Sequence, residues 1–189
     1  KELATAARLR LMQQAEAHAR FVAAQRKNKP ISQLLTSNPI KTIPISHLYS
    51  DDARLLQAVK SDIQTVKMKV GIEDLDGDIA RIKHVRSIIG SNIQIRVDAN
   101  GAWTESQAKM AIQHMVPLGV TSMEEPVANH DLEAMSRLRG GGIQIAADES
   151  IRSLTDLDNI IALGAADAIV IKPMLIGTPM EAVEMMNIA

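Results

Sequence analysis

The chain has 189 residues, 46% hydrophobic and 23% charged, with a formal net charge of -1 at pH 7. That length can bury a sizeable core in one domain, or one plus an appendage, and the balanced charge excludes a basic nucleic-acid surface or an acidic disordered tail. Cysteine is absent, which rules out disulfides and thiolate chemistry, and the lack of a membrane-length apolar run or signal-peptide pattern makes a cytoplasmic protein without a membrane partner the expectation.

From Glu2 to Asn28 the sequence predicts one helix, with Leu3, Ala6, Ala7, Leu11, Ala15, Phe21 and Val22 forming an irregular apolar stripe. The Lys29-Pro30 step stops it, because proline disfavours a helical residue before it. Residues 31–42, with Ser, Thr, Asn and Pro39, read as a connector. Beyond it, short apolar runs alternate with amphipathic helices. Ile43 to Tyr49 is the first strand, followed by a helix that Asp51 or Asp52 caps and that carries Leu55, Leu56, Val59 and Ile63. Thr65 to Val70 is the second; its helix bears Ile79, Ile82, Val85, Ile88 and Ile89 and stops at Gly90. Ile93 to Asp98 is the third, with a helix that opens on the capping box Thr104 and Gln107 and ends near Pro117 and Gly119. Val120 to Glu125 is the fourth, its helix running from Asp131 to Arg139 and closed by three glycines. Ile143 to Asp148 is the fifth, followed by a helix with Leu154, Leu157, Ile160, Ile161 and Leu163. Ala168 to Lys172 is the sixth, and Thr178-Pro179 caps the last helix.

Strands this apolar are buried on both faces, so the succession calls for a parallel sheet covered by helices, either doubly wound or a barrel. Strand ends favour the barrel. Lys69, Asp98, Glu124, Asp148 and Lys172 recur one βα unit apart at C-terminal strand ends, and charges so spaced surround one point only if the sheet curls into a barrel arc. Alternation agrees: Arg96 and Gln94 share a face with Asp98, Ser122 with Glu124, Ala146 and Gln144 with Asp148, and Val170 and Ala168 with Lys172. The Ile and Val residues between them face the helices.

Two chemical features follow. Lys67 and Lys69 point the same way from the second strand, and paired ammonium groups lower each other's proton affinity, which suits a lysine base; solvated lysines on an edge strand are the plainer alternative. Asp98, Glu124 and Asp148 converge from neighbouring strands, where their mutual repulsion is relieved by a hard divalent cation with oxygen ligands, Mg²⁺ fitting best. Glu125 and Glu149 have the opposite parity and read as supporting partners. Asn100 reads equally as a group near the metal and as a turn residue beside Gly101. His18, His84 and His114 read as surface residues, Trp103 as a packing residue, and Met185-Met186 as core.

The ordered set Lys67-Met68-Lys69, Asp98-Ala99-Asn100, Glu124-Glu125-Pro126, Asp148-Glu149-Ser150 and Ile171-Lys172-Pro173 resembles the enolase superfamily, and more narrowly its muconate-lactonizing branch, over about residues 20 to 189. The run from Val170 to Gly177 looks most like o-succinylbenzoate synthase of menaquinone biosynthesis. The resemblance implies an α/β fold, an incomplete (β/α) TIM-type barrel of six βα units over residues 41–189, preceded over residues 1–40 by the last helix and connector of an N-terminal capping domain. It implies Asp98, Glu124 and Asp148 as Mg²⁺ ligands, Lys69 as the base that removes a proton α to a carboxylate, Lys67 as the neighbour that lowers its pKa and helps hold the carboxylate, and Lys172 on the opposite face.

The implied activity is an Mg²⁺-dependent dehydratase forming o-succinylbenzoate from a small-molecule carboxylate, by way of a metal-stabilised enediolate. An N-acylamino acid racemase or dipeptide epimerase on the same site is the alternative, and a non-catalytic metal-binding fragment is the alternative of another class. Six units cannot close an eight-stranded barrel. The expectation is therefore part of a protein about twice the usual single-domain size, its first and sixth strands unpaired with each other.

Overall fold

The computed structural model describes residues 12, 15–16, 18–24, 26–28, 30, 32–40, 42–129 and 131–189. Its contacts group into two units, Pro44–Ile151 with Thr155–Val170, and Lys1–Ile43 with Arg152–Leu154 and Ile171–Ala189.

In the second of these units, residues 18–24 are helical and 27–28 form a turn, with Asn28 in the left-handed region, so the expected stop falls in place. The first turns of the predicted Glu2–Asn28 helix, up to residue 11, lie outside the described residues. The connector is not wholly irregular: Ser32–Leu35 forms a helical turn, α1.

The larger unit holds a single six-stranded sheet in the order β1-β2-β3-β4-β5-β6, every neighbouring pair parallel. The strands are β1 (His47–Leu48), β2 (Thr65–Lys69), β3 (Gln94–Asp98), β4 (Val120–Glu124), β5 (Gln144–Ala147) and β6 (Ala168–Ile169). Among the described residues β1 pairs only with β2 and β6 only with β5, so the sheet is not closed. This is the incomplete TIM-type barrel that the strand-end charges predict.

Helices follow each strand because the local signals are strong. Asp51 caps α2 (Asp52–Lys60), its carboxylate accepting from Arg54 N–H, and Asp74 caps α3 (Leu75–Ile89), which Gly90 ends at φ 70. The Thr104–Gln107 capping box opens α4 (Glu105–Met115), and a 3₁₀ turn, Val116–Leu118, leads to Gly119. Asp131 caps α5 (Leu132–Leu138), and α6 is Leu154–Leu163. Caps of this kind contribute about 1 kcal/mol each.

The core forms by alternation. Val66 and Met68 on β2, Ile95 and Val97 on β3 and Met123 on β4 are buried together with Ile79, Ile82, Val85 and Ile89 on α3 and Ala108, Ala111, Ile112 and Met115 on α4. Trp103 is also buried, as packing requires. The opposite face carries the polar set, with Gln94, Arg96 and Gln144 exposed. His84 is a surface residue, as expected, and pairs with Asp52 at 2.9 Å.

Two predicted strands are shorter than expected. The first keeps only His47–Leu48, which pair with Val66 and Lys67, because β2 itself begins at Thr65 and offers earlier residues no partner. The sixth ends at Ile169, with one further ladder bond from Val170 N–H to Ala147 C=O. Lys172 is therefore not on a strand; it is the N-cap residue of α7 (Pro173–Ile176), where Pro173 starts a helix instead. The last helix, α8 (Pro179–Ile188), opens on a Thr178–Glu181 capping box. Met185 on it is buried, whereas Met186 is exposed, because adjacent helical residues lie about 100° apart and one face packs. Among the described residues no helix is long and apolar enough to cross a membrane.

Helices α4 and α5 are joined by charge. Arg137 donates to both carboxylate oxygens of Glu105, at 2.9 and 3.1 Å to Oε2 and 3.2 Å to Oε1, and Lys109 adds a bond of 2.6 Å to Oε1. The Arg137 hydrogen bond, followed by that of Lys109, lowers the Glu105 pKa to about 2. A depressed folded-state pKa stabilises above the unfolded value and loses that contribution as pH falls through the folded one. The urea midpoint of the wild type is therefore expected to exceed that of Glu105→Gln at pH 6, with the gap narrowing below the ordinary carboxylate range and vanishing near pH 2. A gap independent of pH would mean that packing, not charge, links the helices.

Candidate metal and acid-base site

Parallel pairing sets the site. Lys69 lies opposite Asp98, Asp98 opposite Glu124 and Glu124 opposite Ala146, all in one register row at the C-terminal end of the sheet. A register shift between Ile95 and Arg96 brings Ser122, and with it Glu124, onto the face of Asp98. Asp148 follows β5 immediately and completes the set.

The three carboxylates are each less than a tenth exposed, and one oxygen of each lies within 4.8 Å of the others. Such an all-oxygen donor set fits a hard divalent cation of the Mg²⁺ type better than a soft one. Burial, then the charges of Asp98 and Asp148, raise the Glu124 pKa against the opposing hydrogen bond and charge of Lys67.

Lys67 sits two register rows below, yet its side chain reaches up the strand. Its ammonium bridges Asp98 Oδ2 at 2.9 Å and Glu124 Oε2 at 2.5 Å. Burial alone lowers its proton affinity, but the hydrogen bonds and charges of Glu124 and Asp98 more than offset this, and the pKa is raised. The expectation that the lysine pair depresses its own proton affinity therefore does not describe Lys67. Lys69 ends β2 on the same face, exposed to solvent. Lys172 belongs to the other unit.

The turn after Lys69 is held from two directions. Val70 N–H bonds Asp98 C=O at 2.9 Å, and Gly71 N–H bonds the carboxylate of Asp78 at 2.6 Å. Gly71 has φ 75, and a Cβ there would approach Ala102 Cβ to 2.6 Å, so only glycine fits. Asp78 is wholly buried, and burial raises its pKa against the Gly71 bond and the Arg81 ion pair at 3.1 Å. Sequence reasoning passed over Asp78. The only signal was an acid in the first turn of a helix, which ordinarily signifies the helix dipole.

The supporting residues behave as parity predicts. Glu125 does not join the three acids; its carboxylate accepts the backbone N–H groups of Asp148 and Ser150 at 2.8 and 3.2 Å. Asn100 takes a left-handed turn at φ 46, its own N–H bonding Asp98 Oδ1 at 3.1 Å, and its amide donates to Glu149 Oε1 at 3.1 Å. Asn100 thus takes the turn that was expected beside Gly101, with a bridge to the loop after β5 added.

Known proteins share much of this sequence and fold. The chain is 33% identical over 170 residues to a hydrophobic dipeptide epimerase of Enterococcus faecalis, covering 87% of this chain and 48% of that one. It is 31% identical over 172 residues to an N-succinyl-L-Arg/Lys racemase of Bacillus cereus, covering 87% and 46%. Among solved structures, an enolase from Bradyrhizobium complexed with magnesium and mandelic acid superposes with a TM-score of 0.81 at 27% identity, covering 88% of this chain and 48% of that one. The chain thus spans about half the length of the curated relatives it matches. Residues 51–189 match the family described as enolase C-terminal domain-like, and the chain belongs to that family, within the enolase superfamily.

Proposed function

We propose that this chain carries the proton-transfer site of a racemase or epimerase acting at the carbon α to a carboxylate, with N-acylamino acids or dipeptides as the substrate class. The observation that carries this reading is the register row itself: a solvent-facing lysine, Lys69, beside three buried carboxylates whose oxygens lie within 4.8 Å of one another. The relatives named above support the substrate class.

In this reading Asp98, Glu124 and Asp148 hold Mg²⁺. When bound, the cation supplies positive charge against which a substrate carboxylate docks and which favours the added negative charge as the α proton leaves. Lys69, as the neutral amine, takes that proton: the Cα–H bond breaks, an N–H bond forms, and the electron pair moves into the carboxylate to give an enediolate. Lys67 holds Asp98 and Glu124 in place. Lys172, assigned by its match to the lysine of the sixth unit, is the second acid-base group of this reading and returns a proton to the α carbon. Residues 1–40 are proposed as the end of a capping domain and 41–189 as part of the barrel domain.

A second reading, dehydration to o-succinylbenzoate, rests on the run from Val170 to Gly177. Both begin with the same proton abstraction, so products separate them. With Mg²⁺ in deuterated water, N-succinylamino acids and hydrophobic dipeptides are expected to gain α-deuterium and lose optical activity. Turnover of the cyclohexadiene hydroxy acid alone would establish the second reading, and cation binding with no exchange on any substrate would make the chain a non-catalytic metal-binding piece.

A further inference from the structure

Glu125 is wholly buried, holds a backbone conformation unusual for a side-chain-bearing residue (φ 38), and takes no place among the three acids. Strain and a buried charge at one residue call for compensation nearby. It is found in five hydrogen bonds. Oε2 accepts the N–H groups of Asp148 and Ser150 at 2.8 and 3.2 Å, and Oε1 accepts the Ser150 hydroxyl. Through its backbone, Glu125 N–H donates to Ala146 C=O at 2.9 Å and its C=O accepts from Gly101 N–H at 2.7 Å.

These bonds run to the segments that carry the other two acids. Gly101 lies in the turn that follows Asp98, Glu124 is the preceding residue, and Asp148 is bonded directly. Main-chain ladders already fix the spacing of β3, β4 and β5 up to their last residues, but Asp148 lies past the end of β5. Its backbone is therefore held by a side chain, that of Glu125, rather than by the ladder alone.

We infer that Glu125 is a positioning residue: its carboxylate sets the main chain at Asp148, and so the convergence of Asp148 with Asp98 and Glu124 on which divalent-cation affinity depends. The inference rests on reading the three acids as a cation site. The left-handed turn at Glu125 points its side chain away from Glu124 and under the 148–150 loop, so two successive glutamates serve different ends, one facing the cation and one facing the backbone that carries its neighbour.

The test is the dissociation constant of Mg²⁺, and of Mn²⁺ as a second probe, measured calorimetrically on the full chain without substrate. Glu125→Ala is expected to weaken both by about 10- to 100-fold, the range found when groups supporting metal ligands are removed. Glu125→Gln is expected to stay within about threefold of wild type, because its amide oxygen still accepts both N–H groups and its NH₂ can donate to Ser150 Oγ. Ser150→Ala, which removes only the hydroxyl donor, covers the case in which Glu125→Ala does not fold; it is expected to weaken binding by about threefold, a single hydrogen bond of modest net worth. Unchanged affinity in Glu125→Ala, or in Ser150→Ala where that variant decides, overturns the inference. Equal weakening in Glu125→Ala and Glu125→Gln also overturns it, since charge and not position would then be responsible. If the wild type binds neither cation, it is the reading of the three acids that fails.

Discussion

Lys69→Ala is expected to slow α-proton exchange by about 10²- to 10⁴-fold, the usual contribution of a positioned general base. Cation affinity should change little, because the ammonium that contacts Asp98 and Glu124 is that of Lys67, two register rows away. Lys69→Arg provides the sharper comparison. It keeps a positive charge at the end of β2 but cannot be deprotonated in a protein, so it should be as slow as the alanine variant if Lys69 is a base, and close to normal if Lys69 only attracts the substrate carboxylate. The measurement is loss of the α-proton signal by ¹H NMR in deuterated water. Exchange at the wild-type rate in Lys69→Ala would end the assignment of Lys69 as the base.

Asp148→Asn has the largest effect expected on the cation. Asparagine has the same shape and retains one oxygen donor, so the change isolates the charge. Loss of one of three anionic ligands is expected to weaken Mg²⁺ binding by about 10²-fold, equivalent to about 2.7 kcal/mol. Activity at limiting Mg²⁺ should fall in proportion and recover in part when Mg²⁺ is raised. Activity lost at unchanged affinity would mean that Asp148 acts on the substrate instead. Because Asp148 reaches the cluster from a loop, and Asp98 and Glu124 from strand ends in one register row, its position is the more sensitive to neighbouring changes.

Much of this arrangement was legible before any coordinates. The caps Thr104 and Thr178, the choice between Asp51 and Asp52 and the stop at Gly90 were readable because each depends on residues within one turn of the chain. That Lys67 shares a face with Lys69, Arg96 with Asp98 and Ser122 with Glu124 was readable because side chains alternate strictly along a strand. Asp78 was not, since its bond to Gly71 depends on how α3 folds back beside β2.

By itself, then, the sequence determined the order of strands and helices, several of their caps, most of the residues that face the core, and the spacing of the charges one βα unit apart, all properties of position along a single chain. The tertiary structure alone decided the rest. The register shift between β3 and β4 aligns Glu124 with Asp98 and arises only when two strands meet. The sixth strand ends early and leaves Lys172 at a helix cap. Lys67, read from β2 as half of a lysine pair with lowered proton affinity, has its pKa raised instead as the ammonium shared by Asp98 and Glu124. Proton affinity follows the charges nearest in space, and a four-carbon side chain chooses those only after the strands have paired.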